Sequence, residues 1–366
     1  MGNMMIEIKS RLKGTVLGTY LRRRRWNANI LSKDKAAKKV DQHMPDATPA
    51  EKEAVVADIL DMAKKYRFST DEYFYYHFRE KSEEERKTFV SDLNRVDIVE
   101  SLNKAKNLAI FDDKLRTVDV FGKYYHRKTC GVKNEKDLNR LQEFARETGK
   151  FIVKPQVGTC GQGIRIVDME EYNGDLQCLK GLIRQYCTGT GEGFIAEELI
   201  QQVPELAQFH PQSVNTVRIA TVRFDEGAEV LAAFFRTGRS GSAVDNVGSG
   251  GVFGTLDVAT GEVIAVSDAQ GRYYETHPDT GVQMVGFKLP FWEEAKAMAL
   301  ELATVVKGNR YGGWDLALTE NGWVLVEANA RGQFVWQIPT QKGFMAEIND
   351  VLRRLGMPEL KKTGIR

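Results

Sequence analysis

Between Gly312 and Phe334 the chain reads GGWDLALTENGWVLVEANARGQF. Apolar and polar positions alternate on both sides of Glu320-Asn321-Gly322, the pattern of two strands joined by a tight turn. With those three residues as the loop and Gly322 left-handed, Thr319 faces Trp323 and Asp315 lies opposite Glu327. Period two then puts Asn329 on the Asp315/Glu327 face and gathers Trp314, Leu316, Leu318, Val324 and Val326 on the other. A two-residue Asn-Gly turn would pair Asp315 with Ala328 and divide the carboxylates between faces, a register the apolar pattern tolerates poorly. Asp315, Glu327 and Asn329 so placed make a cluster of hard oxygens of the kind Mg²⁺ takes, with positions left for water and phosphate. Two facing carboxylates without a cation would repel and raise one pKa. The competing reading is a solvated acidic edge.

A second stretch, Phe151–Val167, reads FIVKPQVGTCGQGIRIV. An apolar run ends in Lys154-Pro155, glycines follow at Gly158, Gly161 and Gly163, and a second apolar alternation closes the segment. This predicts a strand, a flexible hairpin and another strand. The lysine fixes a positive charge at a strand end, and the glycines let backbone N–H groups close over phosphate oxygens. No Gly-Lys-Ser/Thr follows the glycines, so the loop is not a Walker A motif. A strand rather than a helix comes next, so it is not a dinucleotide fingerprint either.

Around these segments, 366 residues give room for two or three lobes. The net charge is only +2, which gives no argument for nucleic acid. It is unevenly spread: Met1–Lys39 holds eleven Lys/Arg against Glu7 and Asp34. Within Met1–Trp26 the basic residues interleave with apolar ones and end in Arg22-Arg23-Arg24-Arg25-Trp26. That is the pattern of a helix docking on anionic lipid or an acidic partner, or covering the main body. Helices are predicted over Pro49–Tyr66, Thr70–Phe78 and Asp97–Leu108, with Ser82 and Glu85 as a capping box. Cys130, Cys160, Cys178 and Cys187 contain no close metal-ligand pair and suit a reducing cytosol. No apolar run approaches the ~20 residues of a membrane span. The expectation is a cytoplasmic protein, peripheral at the inner membrane surface if the basic segment docks there.

Further along, helices are predicted over Asp137–Thr148, Leu176–Cys187 and from Pro290 to Val306. The last turns Phe291, Ala295, Ala299, Leu302 and Val306 inward. Phe194–Ile200 reads as a strand carrying Glu197 and Glu198, and two antiparallel strands are expected around Arg218 and Arg236. The polar, glycine-dense loop Thr237–Gly254 holds Arg239, Asp245 and Asn246. No histidine is spaced to activate Cys160, and thiol catalysis is set aside. His277, in a polar loop, is a candidate for touching substrate.

The order and spacing from Ile110 to Pro339 resemble the ATP-grasp superfamily, in particular its branch associated with sugar transfer and related to alpha-L-glutamate ligases. The resemblance implies an α+β fold of two lobes clamping a nucleotide, here after a helical N-terminal lobe. The expected division is 1–108 helical, 109–200 small lobe and 201–366 large lobe. By the resemblance, Lys114 and Lys154 face the phosphates, and the loop with Gly158, Thr159, Gly161 and Gly163 closes over them. Glu197, Glu198, Leu199 and Ile200 pass the adenine and ribose, and Asp315, Glu327 and Asn329 carry Mg²⁺. Arg218 sits at the γ-phosphate or acyl phosphate. Arg331 and Arg239 are candidates for clamping a substrate carboxylate, and Asn246 for a catalytic contact. The implied activity is an ATP-dependent, ADP-forming carboxylate–amine ligation through an acyl phosphate, with a glycan precursor or sugar nucleotide among the candidate substrates. A kinase acting on a hydroxyl would use the same nucleotide residues. The helical, basic start departs from the α/β lobe with which superfamily ligases commonly begin.

Overall fold

The computed structural model describes residues 16–158, 161–175, 177–187, 191–241, 245 and 250–360. Two compact units divide it: 1–101 with 333–366, and 102–332. The boundaries expected from sequence differ, because the described residues from Gln333 onward join the helical unit rather than the large lobe.

The first unit is helical. Capping boxes open its helices at Thr48/Glu51, Ser69/Glu72 and Ser82/Glu85, each satisfying main-chain N–H groups that the first helical turn leaves unpaired. The Pro49–Tyr66 helix has its expected bounds. Phe68, Tyr73, Tyr76, Phe78 and Phe89 pack as an aromatic core. The C-terminal segment is tied in by Gln337, which exchanges two hydrogen bonds with the main chain of Val90. Of the arginine run, Arg22 pairs with Glu100 and Arg23 with Asp97, so part of that charge is used within the unit. Residues 1–15 lie outside the described residues. Among the described residues no helix is long and apolar enough to cross a membrane.

The second unit holds two antiparallel sheets. The smaller contains β1 (Thr129–Val132), β2 (Lys150–Pro155), β3 (Arg165–Asp168) and β4 (Phe194–Glu198) in the order β1-β4-β2-β3. One face carries Val132, Phe151, Val153, Val167, Phe194 and Ala196 into a core with the helices Leu138–Thr148 and Gln177–Cys187. Strand alternation therefore assigns Lys154, Ile195 and Glu197 to the opposite face.

The larger sheet runs β11-β10-β5-β6-β7-β8-β9. Its strands are β5 (Thr216–Arg223), β6 (Ala228–Thr237), β7 (Val252–Leu256), β8 (Val263–Asp268), β9 (Tyr273–Tyr274), β10 (Tyr311–Thr319) and β11 (Gly322–Asn329). The Trp292–Val305 helix packs on it through Trp292, Ala295, Ala299 and Leu302. Phe291, expected to face inward, is instead 63% exposed. It sits in the left-handed region just before the helix, and Trp292 takes the buried position.

The acidic hairpin pairs Asp315 with Glu327 as expected, by a different route. Thr319 pairs with Gly322 rather than Trp323, so only Glu320 and Asn321 turn the chain. A bulge between the Leu316–Leu325 and Asp315–Glu327 pairs absorbs Val326 and restores the carboxylate pairing. It also changes the core face, which on β11 is built from Trp323, Leu325 and Ala328 in place of Val324 and Val326.

Candidate active site

Lys114 is held by local chemistry. Asp113 caps the helix Lys114–Phe121 by accepting from the Leu115 and Arg116 N–H groups. Its other oxygen accepts from Gln156 Nε2 at 2.8 Å, which ties the helix start to the chain leaving β2. The Lys114 ammonium donates to the Gly158 carbonyl at 2.9 Å and lies 3.7 Å from Glu327 Oε1. One cation thus spans the glycine loop of the small sheet and the acidic strand of the large one. Gly161 and Gly163 have φ of 71° and 72°, a region that favours glycine. At Gly163 a Cβ would also lie 2.9 Å from Pro155. Thr159 and Cys160 lie outside the described residues.

Lys154 is buried and donates to Glu197 Oε2 at 3.0 Å. Arg127 Nε donates to the same oxygen at 2.9 Å. Burial alone would raise the Glu197 carboxyl, but the charges and hydrogen bonds of Arg127 and Lys154 overcome it and hold the pKa at about 2. Burial lowers the Lys154 pKa, with Glu197 opposing. Of the positions expected to meet ribose, Glu197, Glu198 or a residue just downstream, the structure makes Glu197 the buried anchor of two cations. Glu198 accepts from the Lys128 N–H at 3.1 Å. Leu199 and Ile200 lie beyond the last ladder pair, with no main-chain hydrogen bond among the described residues. That leaves strand-end amides able to meet a purine.

On the large sheet Asp315 is 1% exposed, and both of its oxygens are engaged. Arg218 donates through Nε to Oδ1 and through Nη2 to Oδ2 at 2.6 Å, and Arg236 Nη2 lies 2.9 Å from Oδ2. Burial would raise the carboxyl, but the two guanidiniums hold it below the usual carboxylate range. Arg236 also donates to Thr216 Oγ1, and Thr216 donates through its N–H and hydroxyl to Asp245. Where three oxygens open to one cation were expected, the structure pairs Asp315 with two arginines, while Glu327 is half-exposed and Asn329 Oδ1, among the described residues, accepts the Arg331 N–H at 2.9 Å. Among the described residues no group of three His, Cys, Asp or Glu side chains could hold a metal. Glu327 and Asn329 nevertheless fit Mg²⁺, which commonly takes one or two protein oxygens and completes its shell with phosphate and water.

Two of the remaining candidates already hold protein partners. Arg331 pairs with Asp112, and Arg239 donates to the Tyr274 hydroxyl at 3.1 Å. Asn246 lies outside the described residues. His277 is buried, donating to the Gly238 carbonyl at 2.9 Å and accepting from the Asp279 and Thr280 N–H groups; it is a packing residue rather than one facing substrate. Its ring lies 6.2 Å from that of His210, whose Nε2 is buried with no partner among the described residues. Burial lowers both histidine pKa values from 6.5. A depressed value means that the unfolded chain binds the proton first. Stability is thus present above about pH 6.5 and lost as pH falls toward the folded values. The contribution of these rings to the urea midpoint should fall between about pH 7.5 and 5.5, read as the difference in pH dependence between wild type and His277→Asn.

Sequence reasoning missed Arg127 and Arg236. Arg236 carried a signal, a lone cation in a strand of buried aromatics. Arg127 carried none, since Glu197 and Leu325, the partners that place it in the site, are distant in sequence.

Two antiparallel sheets, one presenting a lysine face beside a glycine loop and the other an acidic hairpin, define the α+β ATP-grasp class. Residues 93–353 match the sequence model of the sugar-transfer associated ATP-grasp family, and the chain belongs to that family. No curated protein matches it. Among solved structures it is similar to the ATP-grasp ligase PsnB complexed with minimal precursor, Mg and ADP, at 14% identity and TM-score 0.42 over 70% of this chain and 62% of that one. A RiPP-associated ATP-grasp ligase from Chryseobacterium gregarium, in complex with ADP and a leader and core peptide, gives 17%, 0.43, 70% and 64%. For N5-carboxyaminoimidazole ribonucleotide synthetase from Thermus thermophilus the values are 16%, 0.42, 71% and 57%. The chain thus spans less than two thirds of each of these relatives.

Proposed function

We propose that the protein is an ATP-dependent, ADP-forming ligase that joins a carboxylate to an amine through an acyl phosphate, with Mg²⁺ as the metal. Family membership supports the class. The observation that carries the reading is the Lys114 ammonium, set between the Gly158 carbonyl and Glu327, where polyphosphate and metal would meet. Lys114 and Lys154 neutralise phosphate charge, and the main chain beyond Glu198 receives the base. Glu327 and Asn329 would hold Mg²⁺, which when bound would draw charge from the transferring phosphoryl. Arg218, steadied on Asp315, directs its remaining Nη1 donor toward the oxyanion that develops as the amine attacks. The carboxylate is a small-molecule or peptide acid. A sugar-linked acid or amine is the substrate pair that the family's association with sugar transfer favours.

Glu327→Gln tests the metal assignment. The side chain is half-exposed, so folding should be unaffected. Changes one shell further from a metal already cost about 10–100-fold in affinity or activity, so losing a direct ligand should cost at least that much in the Mg²⁺ requirement for ADP binding, read by calorimetry. An unchanged requirement would move the metal elsewhere.

A further inference from the structure

Arg127 uses every guanidinium nitrogen on the protein. Nε and Nη2 both donate to Glu197 Oε2, while Nη1 donates to the carbonyls of Leu325 at 2.7 Å and Tyr125 at 3.1 Å. The guanidinium carbon lies 4.3 Å from the Tyr125 ring centroid, and the side chain is 5% exposed. A group so saturated is not poised to bind substrate. Its partners are what matter. Glu197 is the carboxylate on which Lys154 rests. Leu325 precedes Val326, the extra residue of the bulge that sets Glu327 opposite Asp315.

We infer that Arg127 is a positioning residue coupling the phosphate lysine to the metal-bearing strand; this rests on the nucleotide reading given above. When Lys154 turns from Glu197 to a phosphate, the buried carboxylate would be left unpaired unless a second cation stays with it, and an unpaired buried charge is strongly unfavourable. Arg127 stays. The lysine can then exchange carboxylate for phosphate without stranding Glu197. At its other end the same guanidinium grips the carbonyl beside the interruption in the β10–β11 ladder, and so fixes where Glu327 points. One side chain serves both halves of the site.

The test is calorimetric titration of the full chain with ADP, first without metal and then across a magnesium chloride series. Arg127→Met should lock Lys154 onto Glu197, weakening metal-free ADP binding by about tenfold or more, and should raise the Mg²⁺ requirement by a similar factor. Adding Glu197→Gln removes the locking charge. The double variant should regain wild-type metal-free affinity yet keep the raised Mg²⁺ requirement, because the Leu325 contact is still missing. Arg127→Lys, which keeps a cation but not the fork, should behave like the double variant, and it preserves the test if Arg127→Met does not fold. Wild-type values in Arg127→Lys and Arg127→Met, or no recovery in the double variant, would overturn the inference. Failure of the wild-type chain to bind ADP would instead overturn the nucleotide reading itself.

Discussion

Lys154→Ala is expected to lower turnover by about 10²–10³-fold, the scale of losing one well-placed electrostatic contact to a reacting group, while leaving the chain folded. Most buried ion pairs would not allow such a separation, because removing one partner leaves the other charge stranded. Here Glu197 keeps Arg127, whose Nε remains 2.9 Å from Oε2. The loss should therefore fall on phosphate binding and spare the core of the small sheet. Calorimetry with Mg-ATP and a thermal melt on the same sample separate the two effects. Unchanged affinity would remove the lysine and its glycine loop from the phosphate site.

Asp315→Ala is expected to act the other way, on stability first. The carboxylate is 1% exposed and lies between the guanidiniums of Arg218 and Arg236. Its removal leaves the buried Arg218 without its carboxylate and Arg236, among the described residues, with only the Asp245 carboxylate, 3.5 Å away, and breaking a buried pair in this manner costs about 3–5 kcal/mol. Urea unfolding in the presence of EDTA gives the decisive comparison. An open metal ligand would cost nothing there, whereas a charge anchor would cost its full amount with no metal present. A metal-free midpoint equal to wild type would restore Asp315 to the cation cluster predicted from sequence.

Local chemistry was the part of the fold most legible in the sequence. The Ser82/Glu85 capping box, the Lys154 strand and the alternation of β10 and β11 depend on neighbours within a few residues, and the structure reproduces them. The hairpin marks the limit. Alternation identified the Asp315–Glu327 pair, but a bulge obeys no period, so the turn and the β11 core face came out differently. The ion pairs were less legible still. Arg127 meets Glu197 seventy residues on, Arg218 meets Asp315 across 97, and nothing local reports such partners. Asp315 therefore read as a free oxygen donor when two arginines hold it. Phe291 was misplaced for a smaller reason: the helix begins two residues later, at Trp292, and a left-handed residue before it breaks the periodicity.

The most direct measurement of the central claim is a mass-resolved assay of the full chain with Mg-ATP and pooled carboxylic acids, amines and sugar nucleotides, following nucleotide and new products together. The account predicts ADP together with a product lighter than its two substrates by one water. ADP together with a product heavier than a single substrate by one phosphoryl group would contradict it and make the protein a kinase.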